Sequence, residues 1–232
     1  MPLLVKSHVP QNSIMVYNGW VIFDPIYISI VLIVILISMT LHEAMHGYAA
    51  YWLGDDTAKQ GGRLTLNPIA HIDPFLTIIL PILLSISGAP VFGGAKPVPF
   101  NPTRVKFGEL GAAIVGLAGP LTNLVIAFVL FVAYALMGSP DIAQPLGMFL
   151  RTGILVNLGF FIFNMLPIPP LDGSRVLYAI APDWARTGME WIERYGILLV
   201  FAVVMLFSRQ IGVYMSAALE AILKGFSWII GV

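Results

Sequence analysis

The sequence predicts an all-α polytopic membrane protein with about four to six transmembrane helices. Of its 232 residues, 58% are hydrophobic and only 10% are charged, whereas a soluble domain has about 25% charged residues. The apolar stretches are continuous and do not alternate, which favours helices over the strands of a barrel. We interpret residues 1–232 as one membrane domain, with a core at about 22–181, a short re-entrant or β-hairpin region within it, and C-terminal helices at about 190–232.

Charge and cysteine content exclude several classes of protein. The chain has 12 basic and 12 acidic residues and no net charge, so no nucleic-acid partner is expected. It has no cysteine, so neither a disulfide nor a thiolate metal site can form. Residues 1–18 contain one lysine and no apolar core, which is unlike a cleavable signal peptide.

The first apolar run, from about Ile22 to Leu53, carries the most informative motif. It is long enough for a spanning helix, and its last third contains the pattern H-E-x-x-H, from His42 to His46. Residues four apart share a helix face, so both imidazoles can point at one metal ion. Glu43 can then take a proton from a water on that metal. The alternative is an accidental match in a buried helix, but ionisable groups inside a membrane are functional candidates by default.

The region between the first and second spans is polar and rich in turns. Arg63–Leu66 alternates between polar and apolar residues and predicts a short strand. Phe75–Ile86 is apolar but short and contains Pro81, so it is typical of a re-entrant or interfacial segment. Residues 87–102 are rich in Gly and Pro and predict a loop.

The remaining apolar runs predict further helices. A Pro-rich break, Pro167–Gly173, separates the third span from a short helix that ends near Ile180. Ile211–Val232 is interrupted by charged residues and is either a fifth span or an interfacial helix. The predicted second, third and fourth spans are Leu110–Met137, Leu146–Leu166 and Trp191–Phe207.

A third metal ligand is needed, because a catalytic zinc ion usually keeps three protein ligands and one open position. Without cysteine, the candidates are His71, His8 and the acidic residues. Asp172 stands out because it lies in the Pro-rich break at membrane depth, where an unpaired carboxylate is costly. It could instead cap the helix that follows. His71 lies in a loop that suits a surface or hydrogen-bonding role at least as well.

The distribution of basic residues supports Asp172. Let the first helix run from side A to side B of the membrane. Asp172 reaches the motif only if the third span also ends on side B, so that residues 54–108 begin and end there. Side B then receives Lys59, Arg63, Lys96, Arg104, Lys106, Arg175 and Arg186, against Lys6 and Arg209 on side A and Arg151 and Arg194 at span borders. By the positive-inside rule side B is cytoplasmic, so the site is expected near the cytoplasmic face.

Together these motifs resemble the site-2 protease family of intramembrane zinc metalloproteases, in its compact prokaryotic form without a PDZ or CBS domain. The resemblance covers about Ile26–Tyr178. It rests on H-E-x-x-H, on Gly119-Pro120-x-x-Asn123, on Asn164-x-x-Pro167 with Pro170-Leu171-Asp172-Gly173, and on segments around residues 67–73 and 95–99.

The resemblance implies a set of roles. His42, His46 and Asp172 would bind one zinc ion, and Glu43 would be the general base. Asn123 and Asn164 would contact the substrate or the oxyanion, although asparagines inside membranes also commonly make hydrogen bonds between helices.

The implied function is hydrolysis of peptide bonds within transmembrane segments of other membrane proteins. The expected partners are that substrate and the lipid bilayer, a homo-oligomer is compatible with the sequence, and the expected location is a prokaryotic plasma membrane. If Gly62–Leu66 is a strand, it could pair with the unwound substrate. The alternative function is a membrane metal-ion carrier that uses the same His and Asp residues. A catalytically silent scaffold is disfavoured, because every catalytic position is filled.

Overall fold

Four long apolar helices form the body of the protein in a computed structural model, which describes residues 14–17, 20–23, 25–79, 83 and 94–232. Each is long and apolar enough to cross a membrane, as the fold class predicts. They are α1 (Pro25–Trp52), α3 (Gly108–Leu136), α4 (Pro145–Asn164) and α8 (Ser208–Ile230). The shorter helices are α2 (Thr57–Gln60), α5 (Gly173–Ile180), α6 (Asp183–Glu193) and α7 (Gly196–Leu206). Two antiparallel strands, β1 (Ile14–Tyr17) and β2 (Trp20–Phe23), precede α1.

Helices α1, α3 and α4 pack together, and their contacts fix their directions. Along α1, Ser38 contacts Asn157 of α4, and His42 lies one turn later beside Asp172, which follows α4. Helices α1 and α4 are therefore parallel. Along α3 the order is reversed, because His46 contacts Val115 and His42 contacts the later Asn123. Helix α3 is antiparallel to both, which is the arrangement that the position of Asp172 requires.

Helix α8 crosses alongside α3 and α4. Near its end, Leu223 and Phe226 pack into an apolar cluster with Phe131 and Ile154. Near its start, Ile211 lines a small apolar cavity with residues around the end of α4. Helix α8 thus runs opposite to α4 and ends on side A, where α3 ends and α4 begins. Arg209 lies at its start, on side B, which corrects its predicted place on side A.

The predicted fourth span, Trp191–Phe207, is wrong as a single helix. The chain breaks between Glu193 and Gly196, where Gly196 adopts a positive φ of 47°. Of the predicted span, α7 keeps 11 residues, about 16 Å of helix against a hydrocarbon core of about 30 Å. Ile211–Val232 contains one helix, α8, which is long and apolar enough to be a candidate span, and its Glu220 and Lys224 form an i,i+4 ion pair of 2.7 Å.

The loop between α1 and α3 contains no strand at Arg63–Leu66, so that prediction is also wrong. Local hydrogen bonds replace strand pairing there. The Asn67 N–H donates to Thr65 Oγ1 over 3.1 Å, and the Asn67 side chain accepts from the Ile69 N–H. A 3-10 turn follows at Pro68–His71, and a π-helical turn at Pro74–Ile79. The predicted re-entrant segment Phe75–Ile86 lies partly outside the described residues.

Candidate metal centre

The two histidines of the H-E-x-x-H motif meet Asp172 at the packed centre of α1, α3 and α5. His42 Nε2 lies 3.1 Å from His46 Nε2 and 3.1 Å from Asp172 Oδ2, and His46 Nε2 lies 3.4 Å from Asp172 Oδ1. One candidate ligand atom from each residue lies within 4.8 Å of the other two. Both histidines are buried and Asp172 is half-buried. The structure therefore brings together the three residues that the sequence selects as metal ligands.

The break after α4 places the Asp172 carboxylate at this point. Gly173 allows the tight return of the chain, because a Cβ at Gly173 would lie 2.5 Å from the Met165 carbonyl oxygen. Asp172 precedes α5 but its side chain makes no capping hydrogen bond to that helix. Asp172 therefore does not cap α5 through its side chain. Its carboxylate faces the two imidazoles instead.

Hydrogen bonds to the far side of each ring determine which nitrogen faces the centre. His46 Nδ1 lies 2.7 Å from the Val115 carbonyl oxygen, which can only accept, so Nδ1 carries the proton. His42 Nδ1 lies 2.6 Å from Asn123 Oδ1. In the neutral form of each ring, a proton on Nδ1 leaves the Nε2 lone pair facing the centre.

A chain of buried amides fixes the orientation of Asn123. Asn157 Nδ2 donates to the Gly153 carbonyl at 2.8 Å and to Ser38 Oγ at 2.9 Å, so Asn157 Oδ1 must be the acceptor that faces Asn123. Asn123 Nδ2 donates to that oxygen at 2.8 Å, which turns Asn123 Oδ1 toward His42. Asn123, Asn157 and Ser38 are all buried. Partners of this kind orient a metal-binding histidine and raise its basicity.

Helix α3 approaches the centre through glycine. A Cβ at Gly119 would lie 2.7 Å from His42 Nε2 and still closer to His46 Nε2. One turn earlier, a Cβ at Gly116 would lie 3.0 Å from the Arg175 Cβ and 3.2 Å from the Asp172 carbonyl oxygen. These two positions bring the α3 backbone against both the imidazoles and α5.

Glu43 points to a different neighbour. Its Oε2 accepts a hydrogen bond of 2.9 Å from the backbone N–H of Val98, in the extended segment between the π-helical turn and α3. The side chain is half-buried. Glu43 directly follows His42 in α1. This places a carboxylate beside the candidate metal ligands.

The other predicted residues lie in different surroundings. Asn164 is the last residue of α4 and donates from Nδ2 to the Phe160 carbonyl of its own helix at 3.0 Å. The Asn123 amide is engaged with His42 and Asn157, which favours positioning over a substrate contact. His71 is fully buried and lies outside the three-residue cluster, and its Nε2 donates to the Thr65 carbonyl at 2.9 Å.

The residues at the centre fit a divalent cation. Two imidazole lone pairs and a carboxylate converge there, and groups that only accept hydrogen bonds repel one another unless a positive charge lies between them. Two histidines and one carboxylate are a ligand set that catalytic zinc uses. The hydrogen bonds of His42 to Asn123 and of His46 to the Val115 carbonyl hold both rings with Nε2 directed at the centre.

Sequence reasoning missed Ser38, Asn157 and Val98. The spacing of Ser38 and His42, four residues apart on α1, places both on one helix face and could have indicated the first. Asn157 was visible as a polar residue inside a span, but its partner was not. Val98 acts through its backbone N–H, so the chemistry of its side chain does not indicate this role.

Comparisons with known proteins identify similar zinc metalloproteases. The family model described as Peptidase family M50 matches residues 139–207, which include Asp172. The chain is 42% identical over 205 residues to YwhC of Bacillus subtilis, described as a candidate zinc metalloprotease, and the match covers 85% of this chain and 90% of YwhC. It is 30% identical to Rip2 of Mycolicibacterium smegmatis, also a candidate zinc metalloprotease, over 81% of this chain and 73% of Rip2. No solved structure matches the chain significantly.

Proposed function

Because the chain belongs to peptidase family M50, the site-2 protease family of zinc metalloproteases, we propose that it hydrolyses peptide bonds within transmembrane segments of other membrane proteins, with one zinc ion per chain. The observation that carries this proposal is the convergence of His42, His46 and Asp172, with Glu43 adjacent, on helices apolar enough to lie in a bilayer. A peptide bond reaching this centre would be one already inside the membrane.

Each residue has a distinct task in the proposed reaction. Zinc, held by His42, His46 and Asp172, would polarise the scissile carbonyl and acidify a water molecule. Glu43 takes the proton of the attacking water and later delivers it to the leaving amine nitrogen. Its Oε2 is held by the Val98 N–H, which leaves Oε1 for this transfer.

We assign the oxyanion contact to Asn164 rather than to Asn123. Asn164 uses one N–H within its own helix, and its amide has a second N–H to offer to the developing negative charge. Asn123 is engaged with His42 and Asn157, so its contribution is to orient a ligand. A substrate helix must unwind before either contact can act, because a helix hides its amides.

We further propose that the centre faces the cytoplasmic side of a prokaryotic plasma membrane. The support is the positive-inside rule, which the placement of Arg209 at the start of α8 strengthens. The substrate is a membrane protein with a spanning segment. Residues Gly62–Leu66 form no strand, so they lose their proposed role in pairing with it.

Glu43→Gln tests the proposed function. The substitution keeps the size of the side chain and removes the base, so we expect cleavage to fall about 10²- to 10⁴-fold while bound zinc stays at the wild-type amount. Cleavage of a co-expressed, tagged single-pass membrane protein and metal analysis of the purified chain are the measurements.

Asp172→Asn is the matched comparison, because it should lose zinc as well as cleavage. A metal-ion carrier would tolerate Glu43→Gln and fail only with Asp172→Asn. Equal yields of the cleaved fragment from wild type and Glu43→Gln would therefore contradict proteolysis by this mechanism.

A further inference from the structure

The extended segment Gly94–Asn101, here called the strap, is held to the rest of the protein at both ends. At one end, the Lys96 N–H donates to the carbonyl of the buried His71 at 2.9 Å, and Arg63 Nη2 donates to the Lys96 carbonyl at 2.7 Å. At the other end, the Asn101 N–H donates to the buried carboxylate of Asp55 at 2.6 Å. The strap therefore lies across the cytoplasmic end of α1 in a defined position.

The Asp55 carboxylate that anchors the strap is held by further hydrogen bonds. Thr57 also donates to its carboxylate, from both its hydroxyl and its N–H. Burial acts to raise the pKa of Asp55, but the hydrogen bonds from Thr57 and Asn101 outweigh it and hold that pKa below its usual range. The carboxylate stays charged at neutral pH and keeps the strap fixed.

Between its anchors, the strap has two N–H groups, those of Val98 and Phe100, and the one that bonds to Glu43 is that of Val98. Pro97 and Pro99 have no N–H, and the N–H of Lys96 is used by His71. The N–H of Val98, between the two prolines, donates to Glu43 Oε2 at 2.9 Å. The prolines also restrict the backbone on either side of Val98, so the direction of this N–H is well defined.

A notch in α1 receives the Val98 side chain. Val98 is 7% exposed, although Pro97 and Pro99 on either side are exposed. A Cβ at Gly47 would lie 3.1 Å from Val98 Cγ1 and 3.3 Å from Leu64 Cδ1. Gly47 thus leaves room for Val98 one residue after His46, and the packing sets the height of the strap against α1.

We propose that the strap is a positioning device for the general base, in which the Val98 N–H orients the Glu43 carboxylate and the Gly47 notch sets the position of Val98. This inference rests on the proposed function, because it acts through Glu43. It also gives His71 a role, as an anchor of the strap. A misplacement of about 1 Å in a catalytic group can lower the rate about 10²-fold. Loss of the Val98 contact should therefore lower the rate of cleavage by a measurable amount.

Val98→Pro removes the donor and is compatible with an extended backbone. We expect kcat for cleavage to fall about 10²-fold, with KM and bound zinc unchanged. Val98→Ala keeps the N–H and removes only the side-chain contact with the Gly47 notch, so its kcat should fall less than that of Val98→Pro. A Val98→Pro enzyme with the wild-type kcat, or a faster one, overturns the proposal.

A double-mutant cycle separates positioning from general damage. In a Glu43→Gln background, Val98→Pro should not lower the residual rate further, because the N–H acts through the carboxylate that is gone. A purely structural role would lower the rate in both backgrounds and overturn the proposal. If Glu43→Gln alone leaves cleavage intact, the proposed function fails, and this outcome is visible before Val98 is considered.

A second pair of variants tests the strap without changing its own sequence. Gly47→Ala fills the notch and should displace Val98, lowering kcat while zinc stays bound. Gly159→Ala in α4 is the matched control, because a Cβ there meets nothing within 4 Å, and its kcat should equal that of wild type. Equal kcat values for the two variants, with Val98→Pro unable to fold, would reject the strap as a positioning device.

Discussion

The metal-facing nitrogen of His42 depends on a residue two hydrogen bonds away. Asn157 is turned by the Gly153 carbonyl, Asn123 is turned by Asn157, and the imidazole is turned by Asn123. Each of these amides is buried among apolar helices, so an incorrect orientation would leave polar atoms without partners. The buried amides thus transmit the geometry of α4 to a ligand on α1.

Replacing Asn157 tests this transmission. Asn157→Leu leaves Asn123 Nδ2 with only its longer contact, 3.5 Å to the Ser38 carbonyl. The orientation of the Asn123 amide and of His42 is then less well fixed, so we expect zinc affinity to fall about 10- to 100-fold. Competition with a chelator of known affinity measures it. Thr122→Val is the matched control, since the Thr122 hydroxyl donates only to the Ala118 carbonyl of its own helix. An unchanged affinity in Asn157→Leu would show that His42 does not need the relay.

At this scale the sequence is informative where spacing carries the chemistry. The four-residue separation of His42 and His46 predicts a shared face because α-helical geometry is fixed, and Asp172 is conspicuous because it breaks an apolar region. The contact between Asn157 and Asn123 could not be predicted, since it depends on how α4 is rotated against α3. The contact between Val98 and Glu43 could not be predicted either, because its donor is a backbone N–H, a group that nearly every residue has.

Helix α3 leaves no room for a side chain where it faces the centre, because its backbone passes directly over the imidazoles. Glycine is usually a poor choice inside a helix, and α3 accepts it at Gly116 and Gly119 in return for close approach. Pro120 follows within the same helix. The packing at the centre therefore accounts for a sequence that helix propensity alone disfavours.

Gly119→Ala should separate α3 from the centre. The added methyl group overlaps the space of both Nε2 atoms, so we expect a destabilisation of about 1–3 kcal/mol together with loss of bound zinc. Gly159→Ala, which meets no neighbour, should instead be neutral or stabilising by up to about 1 kcal/mol. Thermal unfolding in detergent and metal analysis compare the two. If Gly119→Ala kept its zinc, the close packing of α3 on the imidazoles would be wrong.

The helices also show where hydropathy misleads. Trp191–Phe207 is apolar enough to predict a span, yet Gly196 and the charged residues before it divide the stretch into α6 and α7. Hydropathy averages composition and does not detect a change of direction between two short helices. It succeeds for α1, α3 and α4, where each apolar run is also one uninterrupted helix.

For the whole molecule, the direction of α8 determines on which side the described chain ends. With α7 too short to cross, the four candidate spans alternate in direction, and α8 ends on side A beside the α3–α4 loop. The predicted position of Asp172 relative to α1 is confirmed by the parallel arrangement of α1 and α4. The number of spans was predictable only as a range, because the short helices add apolar residues without adding a crossing.

Single cysteines can test this topology, since the natural sequence contains none. We expect Ser139→Cys and Val232→Cys to react with a membrane-impermeant thiol reagent added to intact cells, because both lie on side A. Thr103→Cys should react only after the membrane is opened. Cleavage by each variant provides the control for folding. Labelling of Thr103→Cys in intact cells would reverse the orientation, and opposite behaviour of the residue 139 and 232 variants would contradict the path of α8.

The ligands of the centre are contributed by distant parts of the chain, since His42 and Asp172 are separated by 130 positions in the sequence. Three spanning helices must be inserted before the carboxylate can meet the imidazoles, so during biosynthesis the ion can be captured only late. Once captured, it would tie the first of these helices to the turn beyond the third, so loading would stabilise this part of the fold. A chain that enters the membrane incorrectly would thus fail to bring His42, His46 and Asp172 together.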